Sequence, residues 1–174
     1  IGEPKHFEIE NKYLVEMPDK NVLDNLEFCE KVNISQTYIE KNNDFEIRLR
    51  KRSSNNSSSY FVTLKRKITD LKREENEYKI SENKYYHLLD RNLCRSVSIT
   101  KDRYCFCYKS QYFEMDIYPD MDKALLEIEL NSENQVVELP PFIDVIKDVT
   151  NNRNYENYNL AVTQCSRCRK NKVC

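Results

Sequence analysis

The 174-residue chain contains a single glycine, Gly2. A glycine-rich phosphate loop needs several glycines so that its backbone can close around a phosphate, so this chain carries no P-loop. Tight turns must fall instead to Asn, Asp and Ser, whose short polar side chains bond to nearby backbone; Asn42-Asn43-Asp44 is one such stretch. Long apolar runs and leader-like segments are also lacking, which leaves a cytoplasmic location as the expectation. Neither sign of charge dominates: 28 Lys and Arg face 29 Asp and Glu, for a formal net charge of −1. No general field therefore draws in double-stranded nucleic acid or an anionic membrane, and any phosphate affinity must come from a local cluster. Only two histidines are present, His6 and His87, both read as surface residues, and no Ser or Cys stands in a recognisable nucleophile setting. The seven cysteines, an odd number at scattered spacings, argue against a disulfide framework and for a reducing compartment. Cys165-Ser166-Arg167-Cys168 and Cys174 lack a fourth zinc ligand and read as a basic, frayed tail.

What the chain does have is charge arranged at the period of a strand. Successive side chains of a strand point to opposite faces, so Glu8, Glu10 and Lys12 share one side while Phe7, Ile9 and Tyr13 serve the other. One Glu-x-Glu is weak, because alternating charge is the usual solvated face of an antiparallel sheet. Repetition makes it informative. Arg48, Arg50 and Arg52 oppose Ile47 and Leu49, and Lys65 and Lys67 oppose Val62, Leu64 and Ile68. Arg73, Glu75 and Glu77 align, as do Lys101 with Arg103; Glu114 and Asp116 oppose Phe113 and Ile117, and Glu127 and Glu129 oppose Leu126, Ile128 and Leu130. Same-sign pairs and triplets repel, so something must compensate them. Closing the strands into a barrel with a polar lumen would bring acidic and basic strands face to face.

Around this pattern the elements read as follows. Residues 5–16 form a first strand closed by Pro18, 19–28 are ambiguous between helix and loop, and a strand runs through Val32, Ile34 and Tyr38. The Ser and Asn tract Ser53–Ser59 reads as a mobile hairpin loop. Ser81 with Glu82 opens a helix through Tyr85, Leu88 and Leu89, Pro140 and Pro141 open a short one over Phe142, Val145 and Ile146, and a last helix covers Tyr155–Val162. Length and the 39% hydrophobic content suit one domain, residues 1–164, with 165–174 as the tail.

Glu8-x-Glu10-x-Lys12, Arg48-x-Arg50, Lys65, Arg73-x-Glu75-x-Glu77, Lys101-x-Arg103, Glu114-x-Asp116 and Glu127-x-Glu129, in this order, resemble the CYTH domain, or triphosphate tunnel metalloenzyme fold, over nearly the whole chain. Further stretches, among them Gln36-Thr37-Tyr38 and Lys101-Asp102-Arg103-Tyr104, resemble the CYTH half of the TRPL-translocation-defect-like proteins, which typically carry a P-loop domain upstream. The resemblance implies a mainly β fold, a closed eight-stranded antiparallel barrel with a few short flanking helices. It implies that Glu8, Glu10, Glu127 and Glu129 hold a divalent ion, Mg²⁺ or Mn²⁺, and that Glu75, Glu77 and Asp116 hold or assist a second that activates water. Lys12, Arg48, Arg50, Lys65, Arg73, Lys101 and Arg103 would grip phosphate oxygens, with Arg52 and Lys67 nearer the strand ends. Asn11 stands where the family commonly has arginine, facing away from Glu10.

Nine bases on these segments against eight acids leave a net of about +1, and two divalent ions would make a polyanion such as a triphosphate a fitting ligand. Two functions follow. One is a metal-dependent phosphohydrolase acting on inorganic tripolyphosphate or a nucleoside triphosphate. The other is a nucleotide-, polyphosphate- or phosphoinositide-binding module of a larger trafficking protein, which needs the basic set but not the full acidic one. Removing a desolvated basic member should cost roughly 3–5 kcal/mol.

Overall fold

The structure, a computed structural model, describes residues 9–67, 73–132 and 134–171, with the backbone alone for Lys67, Arg73 and residues 166–171. In chain order the elements are β1 (Ile9–Glu16), α1 (Lys20–Asp24), β2 (Glu30–Lys41), β3 (Phe45–Ser54), β4 (Ser57–Lys67), β5 (Arg73–Ile80), α2 (Glu82–Asn92), β6 (Val97–Tyr108), β7 (Gln111–Ile117), β8 (Lys123–Leu130), β9 (Val145–Asp148) and α3 (Asn157–Asn171). The mainly β, antiparallel class with a few helices is therefore as expected. Among the described residues the strand order, β5-β4-β3-β2-β6-β7-β8-β1-β9, has nine strands and no pairing that joins its two ends, where the family resemblance implied a closed ring of eight. The ninth strand is part of the segment read as a helix after Pro140. Ile143 N–H donates to the Pro140 carbonyl in a single turn, and the Glu16 N–H donates to the Asp144 carbonyl, which draws the chain alongside β1. The β-branched pair Val145-Ile146 then suits a strand.

Two compact units divide the chain. The first gathers Ile34–Ile99 with the described part of Glu156–Cys174, and the second gathers the described part of Glu8–Asn33 with Thr100–Tyr155. In the first, alternation along β3 and β4 turns Leu49, Tyr60 and Val62 to one face, and α2 covers it with Tyr85, Leu88 and Leu89. Ser81 caps α2, its Oγ accepting from the Lys84 N–H, as its position before Glu82 predicts. α3 is held by Tyr158, whose ring stands edge-on to Tyr38 at 5.1 Å with the Lys41 ammonium 4.7 Å above it. This helix starts later than predicted and continues to Asn171, into the tail read as frayed.

In the second unit, Tyr104 and Phe106 of β6, Phe113, Met115 and Ile117 of β7, and Ala124, Leu126, Ile128 and Leu130 of β8 form the core with Val15, Leu23 and Ile143. Within β6, β7 and β8 these are every second residue, so the core takes one face, and the charged side chains share the other with Leu125 and Cys105.

Scarcity of glycine shows at the hairpins. The tract Ser53–Ser59 is not a loop: β3 pairs with β4 to its end, Ser53 opposite Ser58 and Ser54 opposite Ser57. Only Asn55 and Asn56 turn, at φ 47° and 63°, the two left-handed residues that a tight hairpin matching the strand twist requires. Seryl hydroxyls bond across the ladder, Ser53 to Ser58 at 2.8 Å, which gives the polar tract a partner within the sheet. Lys109 and Ser110 make the same kind of turn between β6 and β7 at φ 48° and 60°.

Candidate functional site: two charged sheet faces

In the first unit the register lines up a polar face across three strands. Glu46 lies opposite Lys65, Arg48 opposite Thr63, Thr63 opposite Glu77, and Lys65 opposite Glu75. Cross-strand partners in an antiparallel ladder share a face, so alternation along each strand and the ladder together bring these groups within contact. Arg48 Nη2 donates to Glu75 Oε1 at 2.8 Å, Lys65 pairs with the other oxygen of the same carboxylate, and Arg50 Nη1 lies 3.3 Å from Glu77. Burial pushes the Glu75 carboxyl up, but Lys65 and Arg48 outweigh it and hold the pKa below the usual carboxylate range. Arg52 lies opposite Ser59 on the same face, nearer the hairpin, and Lys67 lies opposite Arg73 at the far strand ends.

Three side chains that sequence reading passed over belong to this face. Glu46 is buried, 2.9 Å from Lys41 and 3.8 Å from Arg48. Thr63 has no exposure and donates its hydroxyl to Glu77 at 2.8 Å. Tyr38 is buried beside Glu46, and burial followed by that carboxylate raises its pKa. The signal for Glu46 and Thr63 was the same two-residue spacing, since they stand two before Arg48 and two before Lys65; Tyr38 depends on packing alone.

The second unit carries the remaining motifs on β6, β7, β8 and β1. Arg103 lies opposite Asp116, Glu114 opposite Glu127, Lys12 opposite Glu127, and Glu10 opposite Glu129. Lys12 Nζ is 2.8 Å from Glu127 and 3.8 Å from Glu10. Lys101 bonds to Asp116, and the Arg103 guanidinium reaches Asp116, Glu114 and Glu127 together. Burial governs the energetics. It pulls the Lys101 ammonium down to about 8 against the pull of Asp116. Burial also opposes ionisation of Glu127, yet Lys101, Arg103 and Lys12 hold that carboxyl at about 2. Lys12 is raised, because Glu127 and Glu10 outweigh its desolvation. Glu10 and Glu129 are exposed. Asn11 faces the other way, as expected, and donates to the Tyr13 hydroxyl at 3.2 Å.

Of the predicted site residues, then, Arg48, Arg50, Lys65, Glu75 and Glu77 share one face, and Glu10, Lys12, Lys101, Arg103, Asp116, Glu127 and Glu129 share another. Glu8 lies outside the described residues, and Arg73 is placed by its backbone only. Among the described residues no group of three or more His, Cys, Asp and Glu is arranged to hold a metal ion, and Glu75, Asp116 and Glu127 are engaged by lysines and arginines. Their chemistry nonetheless suits a hard divalent cation, since every candidate donor is a carboxylate oxygen. No helix among the described residues is long and apolar enough to cross a membrane.

A sheet with charged strand faces in this order has counterparts. The CYTH domain pattern matches residues 6–140, and the chain belongs to the CYTH domain family. It is 33% identical over 102 residues to an inorganic triphosphatase of Acetivibrio thermocellus; the match covers 58% of this chain and 64% of that relative, somewhat less than two thirds of its length. The structure of the inorganic triphosphatase NE1496 is similar with a TM-score of 0.60 at 29% identity, covering 90% of this chain and 95% of that one. A protein from Pyrococcus furiosus shares the fold at a TM-score of 0.52 and 19% identity, covering 74% of this chain and 81% of that one.

Proposed function

We propose that this chain is a divalent-metal-dependent triphosphatase that binds inorganic tripolyphosphate or a nucleoside triphosphate and hydrolyses the terminal phosphate. The observation that carries the reading is, within each unit, the pairing of buried or half-buried cations with carboxylates on one face of neighbouring strands: Lys12, Lys101 and Arg103 against Asp116 and Glu127 in one, and Arg48 and Lys65 against Glu75 in the other. Likeness to two inorganic triphosphatases supports it. Lys12, Arg48, Arg50, Lys65, Arg73, Lys101 and Arg103 grip phosphate oxygens and neutralise charge on the leaving group. Glu8, Glu10, Glu127 and Glu129 hold Mg²⁺ or Mn²⁺; the register pair Glu10 and Glu129 supports this assignment. When bound, such an ion supplies charge neutralisation and a water of lowered pKa. Glu75 and Glu77, with Asp116, would hold or assist a second ion. Residues 1–164, with α3 continuing to Asn171, act as one CYTH domain in the cytoplasm, where the free thiols of Cys29, Cys94, Cys105, Cys107 and Cys165 would be at home.

A second reading keeps the basic set and omits the chemistry: a nucleotide-, polyphosphate- or phosphoinositide-binding module like the CYTH half of TRPL-translocation-defect-like proteins. Engagement of the carboxylates by internal cations favours it. A phosphate-release assay over a panel of triphosphates, with Mg²⁺, Mn²⁺ or EDTA, decides between them. Release that needs the ion and is abolished by Glu129→Gln supports the enzyme; binding of triphosphate with no release from any member of the panel overturns it in favour of the module.

A further inference from the structure

Towards the β3–β4 hairpin the charged face of the first unit changes character. Its three carboxylates all meet cations, Glu46 at 2.9 Å from Lys41, Glu75 at 2.8 Å from Arg48 and Glu77 at 3.3 Å from Arg50. Beyond Glu77 the ladder brings no further acid to this face. Arg50 lies opposite Phe61 and Phe61 opposite Lys79, Arg52 lies opposite Ser59, and Ser54 lies opposite Ser57. Arg52 and Lys79 therefore flank β4 from either side, their backbones about 10 Å apart, with the Ser57 and Ser59 hydroxyls between them. Among the described residues neither cation makes an ion pair, and the hydroxyls of Ser54, Ser57 and Ser59 have no hydrogen-bond partner. The opposite face of the same hairpin is satisfied internally. There Ser53 and Ser58 bond to each other at 2.8 Å, and Lys51 Nζ donates to the Tyr86 hydroxyl at 3.3 Å.

We propose that Arg52 and Lys79, with the hydroxyls of Ser54, Ser57 and Ser59, form a second phosphate subsite that takes the further phosphates of a linear polyphosphate, so that the substrate is a chain longer than a triphosphate. The inference rests on the triphosphatase reading above and extends its phosphate grip. Arg48, Arg50 and Arg52 form one row, and from Arg48 to Ser54 that row runs about 20 Å, farther than the two P–O–P links of a triphosphate reach. Each added phosphate brings negative charge and acceptor oxygens, and a guanidinium, an ammonium and three hydroxyls are all donors to them. A nucleoside in the same place would set an uncharged ribose and base against two cations.

The test is calorimetry in EDTA, where no metal-dependent turnover consumes the ligand, with tripolyphosphate, tetrapolyphosphate and a longer linear polyphosphate. The proteins are the wild type, Arg52→Gln, Lys79→Gln and, as a control of equal charge on the opposite face of β3, Lys51→Gln. The wild type should bind the longer chain at least about tenfold more tightly than tripolyphosphate. That ratio should fall towards one in Arg52→Gln and Lys79→Gln and persist in Lys51→Gln. Lys79→Gln removes an exposed side chain that has no ion pair, so it tests the subsite even if Arg52→Gln lowers stability. A wild type indifferent to chain length, a ratio unchanged in Lys79→Gln, or an equal fall in Lys51→Gln overturns the subsite. Tighter binding of ATP than of tetrapolyphosphate would set a base on Phe61 and overturn it too. Phosphate release with Mg²⁺ judges the triphosphatase reading separately: release from tripolyphosphate without a length advantage leaves that reading standing and overturns the subsite, whereas a length advantage without release from any chain supports the subsite and overturns the enzyme.

Discussion

Arg103 and Asp116 meet as a fork on a carboxylate, with Nε at 2.6 Å from one oxygen and Nη2 at 2.7 Å from the other. Asp116 has no exposed side-chain surface and also receives the Lys101 ammonium, itself only 3% exposed. Asp116→Asn keeps the shape but removes the counter-charge that two desolvated cations share. It should cost about 3–5 kcal/mol, the range for breaking a buried pair. Urea unfolding measures it; a midpoint within error of the wild type would mean that solvent reaches these groups.

Arg50 contrasts with Arg103. Its guanidinium is 3.3 Å from Glu77, and the two side chains are 21% and 30% exposed, so water offsets much of the loss. Arg50→Ala should therefore destabilise by about 1 kcal/mol or less, well short of the cost expected of a desolvated base. Its effect belongs to the ligand: calorimetry should show tripolyphosphate binding weakened by about tenfold or more, the loss of one charge-assisted bond. Equal binding by wild type and variant would remove Arg50 from the phosphate grip.

Glu127 is the group with the clearest acid linkage. Its folded pKa of about 2 lies below the ordinary 4.5, so between these values the unfolded chain binds more protons than the folded one. Its contribution is complete above the ordinary value and is lost as pH falls through the folded one. In EDTA, melts of the wild type from pH 5 to pH 2 should fall more steeply than those of Glu127→Gln. Parallel curves would show that Glu127 titrates alike in both states.

At the β6–β7 hairpin, Ser110 is held at φ 60° with no glycine to take the position. A left-handed residue with a Cβ costs roughly 1–2 kcal/mol relative to a favourable conformation. Ser110→Gly should raise stability by up to about 1 kcal/mol, since glycine's greater unfolded freedom offsets part of the relief, and the melting temperature should rise by about 2–4 °C. A lower melting temperature would mean that the Ser110 side chain supports the turn by more than its backbone costs.

Sequence alone determined which residues share a face. The two-residue spacing of Glu127 and Glu129, of Arg48 and Arg50 and of Lys101 and Arg103 is a property of any strand, so the charged faces, the antiparallel class and the CYTH family were legible without coordinates. The Ser81 cap was legible because its signal is local. Where the answer depended on a partner elsewhere in the chain, the reading failed. Ser53–Ser59 has no apolar payload, yet its serines are strand because each has a ladder partner across a two-asparagine turn. The segment after Pro140 is strand because β1 offers it an edge at Tyr13–Val15. Only tertiary structure decided which charge meets which: that Arg103 takes three carboxylates, that Arg50 lies 3.3 Å from Glu77, and that Glu46, Thr63 and Tyr38 join the charged face of the first unit. Periodicity fixes the direction of a side chain, whereas pairing and burial depend on the register between strands distant in sequence, and the desolvation that sets each group's pKa depends on what packs above it.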